Sequence, residues 1–224
     1  MIFTTSEAWQ EAYPEAFIGV LAMDKVANPE SVPALDEIKE ELEAQLRARF
    51  TDKQGIRALA TLQAYKAYYK QFNKTYHVQM QLESVALKGQ SIPRVAALVE
   101  AMFVAELENM LLTAGHDLDA VQPPVRVDVA TGDERYVRLN GQEQVLKAGD
   151  MFIADAQGVL SSIIYGPDQR TQIRPDTRRV LFTVYAPPGI AAEAVERHLG
   201  DIEAKVKLVA PAAETQLLQV YGAA

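Results

Sequence analysis

Between Gly158 and Gly189, two apolar stretches flank a polar turn carrying Tyr165, Asp168, Gln169, Arg170, Thr171, Arg174, Asp176 and Thr177. A turn between strands needs only a few residues, and Gly or Asn suffices. The surplus of hydrogen-bonding groups points to a ligand pocket, because function is more often placed on such loops than in cores. Ser161 and Ser162 precede the turn with no Gly-x-Ser-x-Gly elbow and no Ser–His–Asp order, so they read as pocket walls rather than nucleophiles. Arg170 offers a forked contact to carboxylate or phosphate, and Asp168 and Thr171 suit the polar end of a ligand. A turn network that satisfies itself accounts for the same three residues.

Glu83, Glu100 and Glu106 lie in helical, apolar surroundings, where a dry site tunes a carboxyl for general acid–base work. Glu106 is better suited to a wet helix face. Glu83, beside Leu82, and Glu100, between Val99 and Ala101, are the stronger catalytic candidates. In His116-Asp117-Leu118-Asp119 the imidazole suits proton transfer or, more plainly, a turn organised by its neighbouring aspartates.

Charge is uneven. The chain of 224 residues has a net charge of −8, yet Leu46 to Lys74 holds seven basic residues against Asp52, net +6, leaving −14 elsewhere. Lys66, Lys70 and Lys74, four apart, share one helix face and alternate with Tyr65, Tyr68, Tyr69 and Phe72. Such a face suits an RNA backbone, with an exposed tyrosine such as Tyr69 stacking on a base. The plainer alternative is a solvated face with its aromatics packed inward. Absence of cysteine excludes disulfides and thiolate chemistry. His77, His116 and His198 lack ligand spacing, so neither a metal site nor a cofactor is expected. Apolar stretches such as Phe17 to Met23 are too short to span a bilayer, and the first residues lack a secretory pattern. The expected setting is the cytoplasm, away from membranes.

The elements that must position these groups follow from periodicity. Phe17 to Met23 reads as a buried strand, and Pro33 opens a helix with Leu35, Ile38, Leu42, Leu46 and Phe50 on one face. A second helix runs from near Gly55 to Phe72, and a third ends at Gly89. The longest helical pattern starts at Pro93 and is expected to stop at Gly115. After Pro124 the texture turns strand-like, with Val125, Val127 and Val129 alternating and Asn140-Gly141 marking a hairpin. Strands at Met151–Ala154, Val159–Ile164 and Val180–Tyr185 follow, and helical patterns at Ile190–His198 and Ala212–Tyr221 close the chain. Helices first, then antiparallel strands, indicate an α+β fold.

Six segments in register carry a resemblance: PRVAALVE from Pro93, Gly115 to Asp119, Leu139-Asn140-Gly141, Leu146 to Asp150, Ala154-Asp155, and Asp168-x-Arg170-Thr171-x-Ile173. From about Pro14 to Gly189 the chain resembles the B3/B4 domain, the tRNA-editing module of the phenylalanyl-tRNA synthetase beta subunit, which also occurs free-standing. The resemblance implies an antiparallel strand sandwich flanked by helices over residues 1–189, with 190–224 a helical extension packed on the same domain. It also implies a pocket that hydrolyses the ester of mischarged aminoacyl-tRNA, here as a trans-editing factor without synthetase activity. tRNA or aminoacyl-tRNA is then the partner, and DNA is not expected. In that pocket, Glu83, Glu100 and Asp168 are the catalytic candidates. Ser161, Ser162, Tyr165, Gly166, Arg170, Thr171, Thr183 and His116 would contact substrate, and Lys66, Tyr69, Lys70 and Lys74 the RNA. Amides near Ser162 to Gly166 would hold the carbonyl.

Departures from the family pattern alter the expected substrate. The family histidine falls on Ala114, the position of a helix asparagine on Phe103, and the glycine-rich pocket segment on Ser161 to Gly166. The glutamate that reads the tyrosine hydroxyl falls on Thr183, which makes tyrosine a poor substrate expectation. Two rival readings are an RNA-binding module that has lost the chemistry and a small-molecule binding protein, for which the lysine face would be irrelevant.

Overall fold

Strand β2 (Phe17–Asp24) is apolar along nearly its whole length because its inner residues are buried on both faces. It pairs antiparallel with β10 (Arg179–Ala186) on one side and β11 (Glu214–Gly222) on the other. β10 also pairs with β3 (Leu112–Asp117), giving a four-stranded sheet of order β11-β2-β10-β3. A second sheet holds β1 (Phe3–Thr5), β4 (Val125–Val129), β7 (Met151–Asp155), β8 (Gly158–Ser162) and β9 (Gly166–Pro167), in that order. Its strands are antiparallel except for the β1–β4 pair. A short hairpin, β5 (Arg135–Val137) and β6 (Glu143–Val145), forms where Asn-Gly marks one. Its loop is Leu139-Asn140-Gly141 with only Gly141 at positive φ, 79°, not the two-residue turn that Asn-Gly favours. This computed structural model describes residues 3–223.

The two sheets meet through Ser161 of β8, which bonds to Tyr185 of β10 and His116 of β3. The other face of the four-stranded sheet is covered by α7 (Ala192–Val209). Gly19 of β2 is needed there: a Cβ on it would lie 2.6 Å from Val195 Cγ1 and 3.2 Å from Leu199 Cδ1. The remaining helices are α1 (Glu7–Ala12), α2 (Pro33–Arg49), α3 (Lys53–Arg57), α4 (Ala60–Gln71), α5 (His77–Lys88) and α6 (Ala97–Asn109). Gly89 ends α5 in the left-handed region at φ 68°.

Tyrosines pin α4 to the strands. Tyr65 Oη accepts from the Leu112 amide at 2.9 Å and donates to the Tyr185 carbonyl. Tyr68 Oη accepts from the Met151 amide at 2.6 Å and donates to Asp150 at 2.9 Å. Tyr69 donates to the Ile163 carbonyl at 2.5 Å. All three rings are buried, so the aromatics of the basic segment belong to the core.

Three elements differ from the sequence reading. The pattern from Gly55 to Phe72 divides into α3 and α4, because Leu59 is extended between them. The pattern from Pro93 divides as well: α6 ends at Asn109, Met110 takes a left-handed conformation at φ 60°, and Gly115 lies inside β3. Helix and strand bury their apolar residues in one core, so hydropathy runs through the boundary unbroken. Ala212–Tyr221, expected to be helical, falls mostly in a strand, β11 (Glu214–Gly222). A bulge between Thr215 and Leu217 interrupts the period-two alternation, which hides the strand in the sequence. Among the described residues no helix is long and apolar enough to cross a membrane.

Candidate functional site

The over-furnished turn after β9 is largely satisfied by its own surroundings. Arg170 holds Asp155 with both terminal nitrogens, at 3.0 and 2.9 Å, and donates to the Ala120 carbonyl at 2.9 Å. Its forked contact is therefore made within the protein. Asp168 accepts from Thr171, and burial raises its pKa against that bond.

From Thr171 a buried polar chain leads inward. Since the Thr171 hydroxyl donates to Asp168, its oxygen accepts from His116 Nδ1–H at 2.8 Å. His116 Nε2 then accepts from the Ser161 hydroxyl at 3.3 Å, and Ser161 Oγ lies 2.8 Å from Tyr185 Oη. His116 is wholly buried in β3 rather than capping a turn, and burial, reinforced by the Arg170 charge, lowers its pKa to about 3. It is a neutral link in the chain, so its 3.9 Å approach to Asp168 is not an ion pair.

Beyond Tyr185 opens a cavity of about 250 Å³ between α6, β3 and the β8–β9 segment. This lies just below the roughly 300–1,000 Å³ of pockets for drug-sized ligands, and suits a single side chain better than a nucleotide. Its walls are mainly apolar: Val99, Met102 and Phe103 come from α6, with Ala114, Leu139 and Ile173 opposite. Ser162 and Gly166 reach it as the sequence suggests.

Glu106 also lines the cavity and is buried, not wet. Its Oε1 accepts from the Thr113 amide at 2.7 Å; burial, only partly offset by that bond, raises its pKa to about 8. It is thus a mostly protonated carboxyl at neutral pH, able to donate as well as accept. His77, at the start of α5, lines the same cavity and is kept neutral by burial.

The other expected contacts lie elsewhere. Glu100 pairs with Lys39 at 2.6 Å and accepts from the Val95 amide at 2.8 Å. Glu83 faces Lys53 at 3.2 Å and Arg57 at 3.7 Å. Neither they nor Asp168 lines the cavity. Thr183 is buried with its hydroxyl unpartnered among the described residues. Two of the amides expected to hold a carbonyl are in use: Ile163 N–H donates to Met151 O at 3.1 Å and Tyr165 N–H to Ser162 Oγ at 3.0 Å.

The three lysines share one surface, although only Lys66 and Lys70 belong to α4; Lys74 follows the helix, which ends at Gln71. Lys66, Lys70 and Lys74 join Arg57 around a shallow concavity of about 330 Å³, closed at one end by Thr75, Tyr76 and Gln79. Tyr69 is not on this surface; it is buried in the core and offers no face for a base. Lys74 also sits 5.6 Å over the ring of Tyr165, joining the basic face to the pocket loop.

One sequence signal identifies Glu106. Helix α6 buries Leu98, Ala101, Val104, Ala105 and Leu107, which leaves it no wet side, and a helix apolar all round is a core helix. A glutamate inside it is therefore buried. Nothing local in the sequence marks His77.

Over 69 residues, 31% of this chain, the sequence is 26% identical to the phenylalanine–tRNA ligase beta subunit of Mycoplasma genitalium. Over the same length it is 30% identical to that of Mycoplasma pneumoniae, and each match spans 9% of the relative. A solved N-terminal fragment of the phenylalanyl-tRNA synthetase beta-subunit from Pyrococcus horikoshii shares the fold, with a TM-score of 0.51. That alignment covers 96% of this chain and 50% of the other at 12% identity. The B3/4 domain profile matches residues 60–206, running from α4 through most of α7. With more than half of its length matched, this chain belongs to the B3/4 domain family.

Proposed function

We infer that this protein hydrolyses the ester of an aminoacyl-tRNA, taking the amino-acid side chain into the α6–β3 cavity while the RNA backbone lies on the lysine face. The observation that carries this reading is the adjacency of the two surfaces. Tyr76 bounds the basic concavity and His77, the next residue, lines the cavity. An anionic chain held by Lys66, Lys70 and Lys74 is therefore one residue away from a mainly apolar pocket of side-chain size. The kinship with synthetase beta subunits supports the same substrate class. A substrate matched to this lining has an uncharged, mainly apolar side chain, because among the described residues the lining carries no charge at neutral pH: Glu106 mostly keeps its proton and His77 is neutral.

Incubation with a panel of cognate and mischarged aminoacyl-tRNAs tests the reading. Selective release of one amino acid, or of a few with similar side chains, is expected; stable esters across the panel overturn it. The alternative of a non-catalytic tRNA-binding module draws on the ion-paired state of Glu83 and Glu100. It expects salt-sensitive binding of tRNA with no release.

A further inference from the structure

We propose that His77 is the general base of this hydrolysis, standing between the cavity that takes the acyl side chain and a second chamber that takes the terminal nucleoside. The assignment rests on the deacylase reading. The second chamber, of about 370 Å³, lies between α5 and the segment before α6, and His77 and Phe103 line both spaces. Its walls carry uncharged polar groups, among them Gln81, Ser84, Gln90 and Ser91, suited to hydrogen bonding with a ribose and a base. An aminoacyl ester joins an amino acid to a ribose, so a ligand filling both chambers carries its ester past the residues they share. Of those two, only His77 can move a proton.

The tautomer of His77 fits the role. Tyr69 spends its only hydroxyl proton on the Ile163 carbonyl at 2.5 Å, so its oxygen presents only lone pairs to His77 Nδ1, 3.4 Å away. The imidazole proton therefore sits on Nδ1 in a long contact, and Nε2 keeps a free lone pair. Burial keeps the ring uncharged at neutral pH. The other two histidines are fully buried and line neither space.

In the step, a water oxygen forms a bond to the ester carbonyl carbon while its proton passes to His77 Nε2. The carbonyl π pair moves onto oxygen. Collapse of the tetrahedral intermediate restores the carbonyl and breaks the bond to the ribose oxygen, which takes the proton from Nε2. The products are the free amino acid, which ionises, and tRNA with its ribose hydroxyl restored.

The test uses the full chain and the amino acid released in the panel. His77→Asn keeps an N–H for Tyr69 but removes the base, and His77→Ala removes both. In both variants kcat is expected to fall by about 10²–10⁴ with KM little changed. The acid limb of the pH–rate profile is expected to disappear. The titratable groups facing His77 are Tyr69 from α4, Tyr76 just before α5, Glu106 from α6 and Tyr185 from β10; none of the four titrates below neutrality in this fold. An active wild type with unchanged kcat and acid limb in folded His77→Asn overturns the assignment alone. A wild type inert on every aminoacyl-tRNA overturns the deacylase reading, and the assignment with it.

Discussion

Glu106 shows what burial costs an ionisable group. Its folded pKa of about 8 lies above the ordinary 4.5, so the folded state holds the proton more tightly than the unfolded chain. The stability this gives is complete below about pH 4.5 and is lost as pH rises to about 8. Glu106→Gln is neutral throughout and removes that loss. Its denaturant midpoint is expected to gain on wild type progressively between about pH 5 and about pH 8.5, and parallel midpoints would refute the burial argument. Asp150, raised by burial to about 7, has the same sign but is common to both proteins and cancels. The polar chain makes a separate prediction. Thr171→Val strands His116 Nδ1–H and takes a partner from Asp168, at a cost of about 1–3 kcal/mol in denaturant unfolding. At this scale the sequence shows Ser162 and Gly166, because turn chemistry is local. It does not show His77, whose importance comes from Phe103 and Tyr69 brought beside it by other parts of the fold.

Elements decide which of these groups can meet. β2, α2, β4 and the β5–β6 hairpin are legible in the sequence because each has a clean period or a specific turn. β3 and β11 are not: one continues the apolar run of a helix, and the other carries a bulge. Helix α4 is half legible: Lys66 and Lys70 are exposed on it, Lys74 lies beyond its end, and its tyrosines serve the core. Changing Lys66, Lys70 and Lys74 together to Gln is expected to leave stability within about 0.5 kcal/mol, as the three are exposed. The same change weakens tRNA binding and lowers the slope of log affinity against log salt by up to about 3. An unaltered slope would remove the RNA from this face. The contact of β2 with α7 is a packing prediction: Gly19→Ala drives a methyl into Val195 and is expected to cost about 1–3 kcal/mol, read as a lower unfolding midpoint.

At the scale of the whole molecule, the start of α5 holds the basic concavity and the mainly apolar cavity next to each other. Neither surface alone specifies a function, since basic faces and apolar cavities are both common. Their adjacency, in a chain of the B3/4 domain family, is what the proposed binding of an anionic polymer carrying one apolar group rests on. The most direct measurement of this claim is single-turnover release of the preferred amino acid from its tRNA, for wild type and for the cavity-filling variant Val99→Phe. Release by wild type is expected, with Val99→Phe losing it while binding uncharged tRNA as before. Equal release by the two proteins, or no release by wild type, would contradict the account.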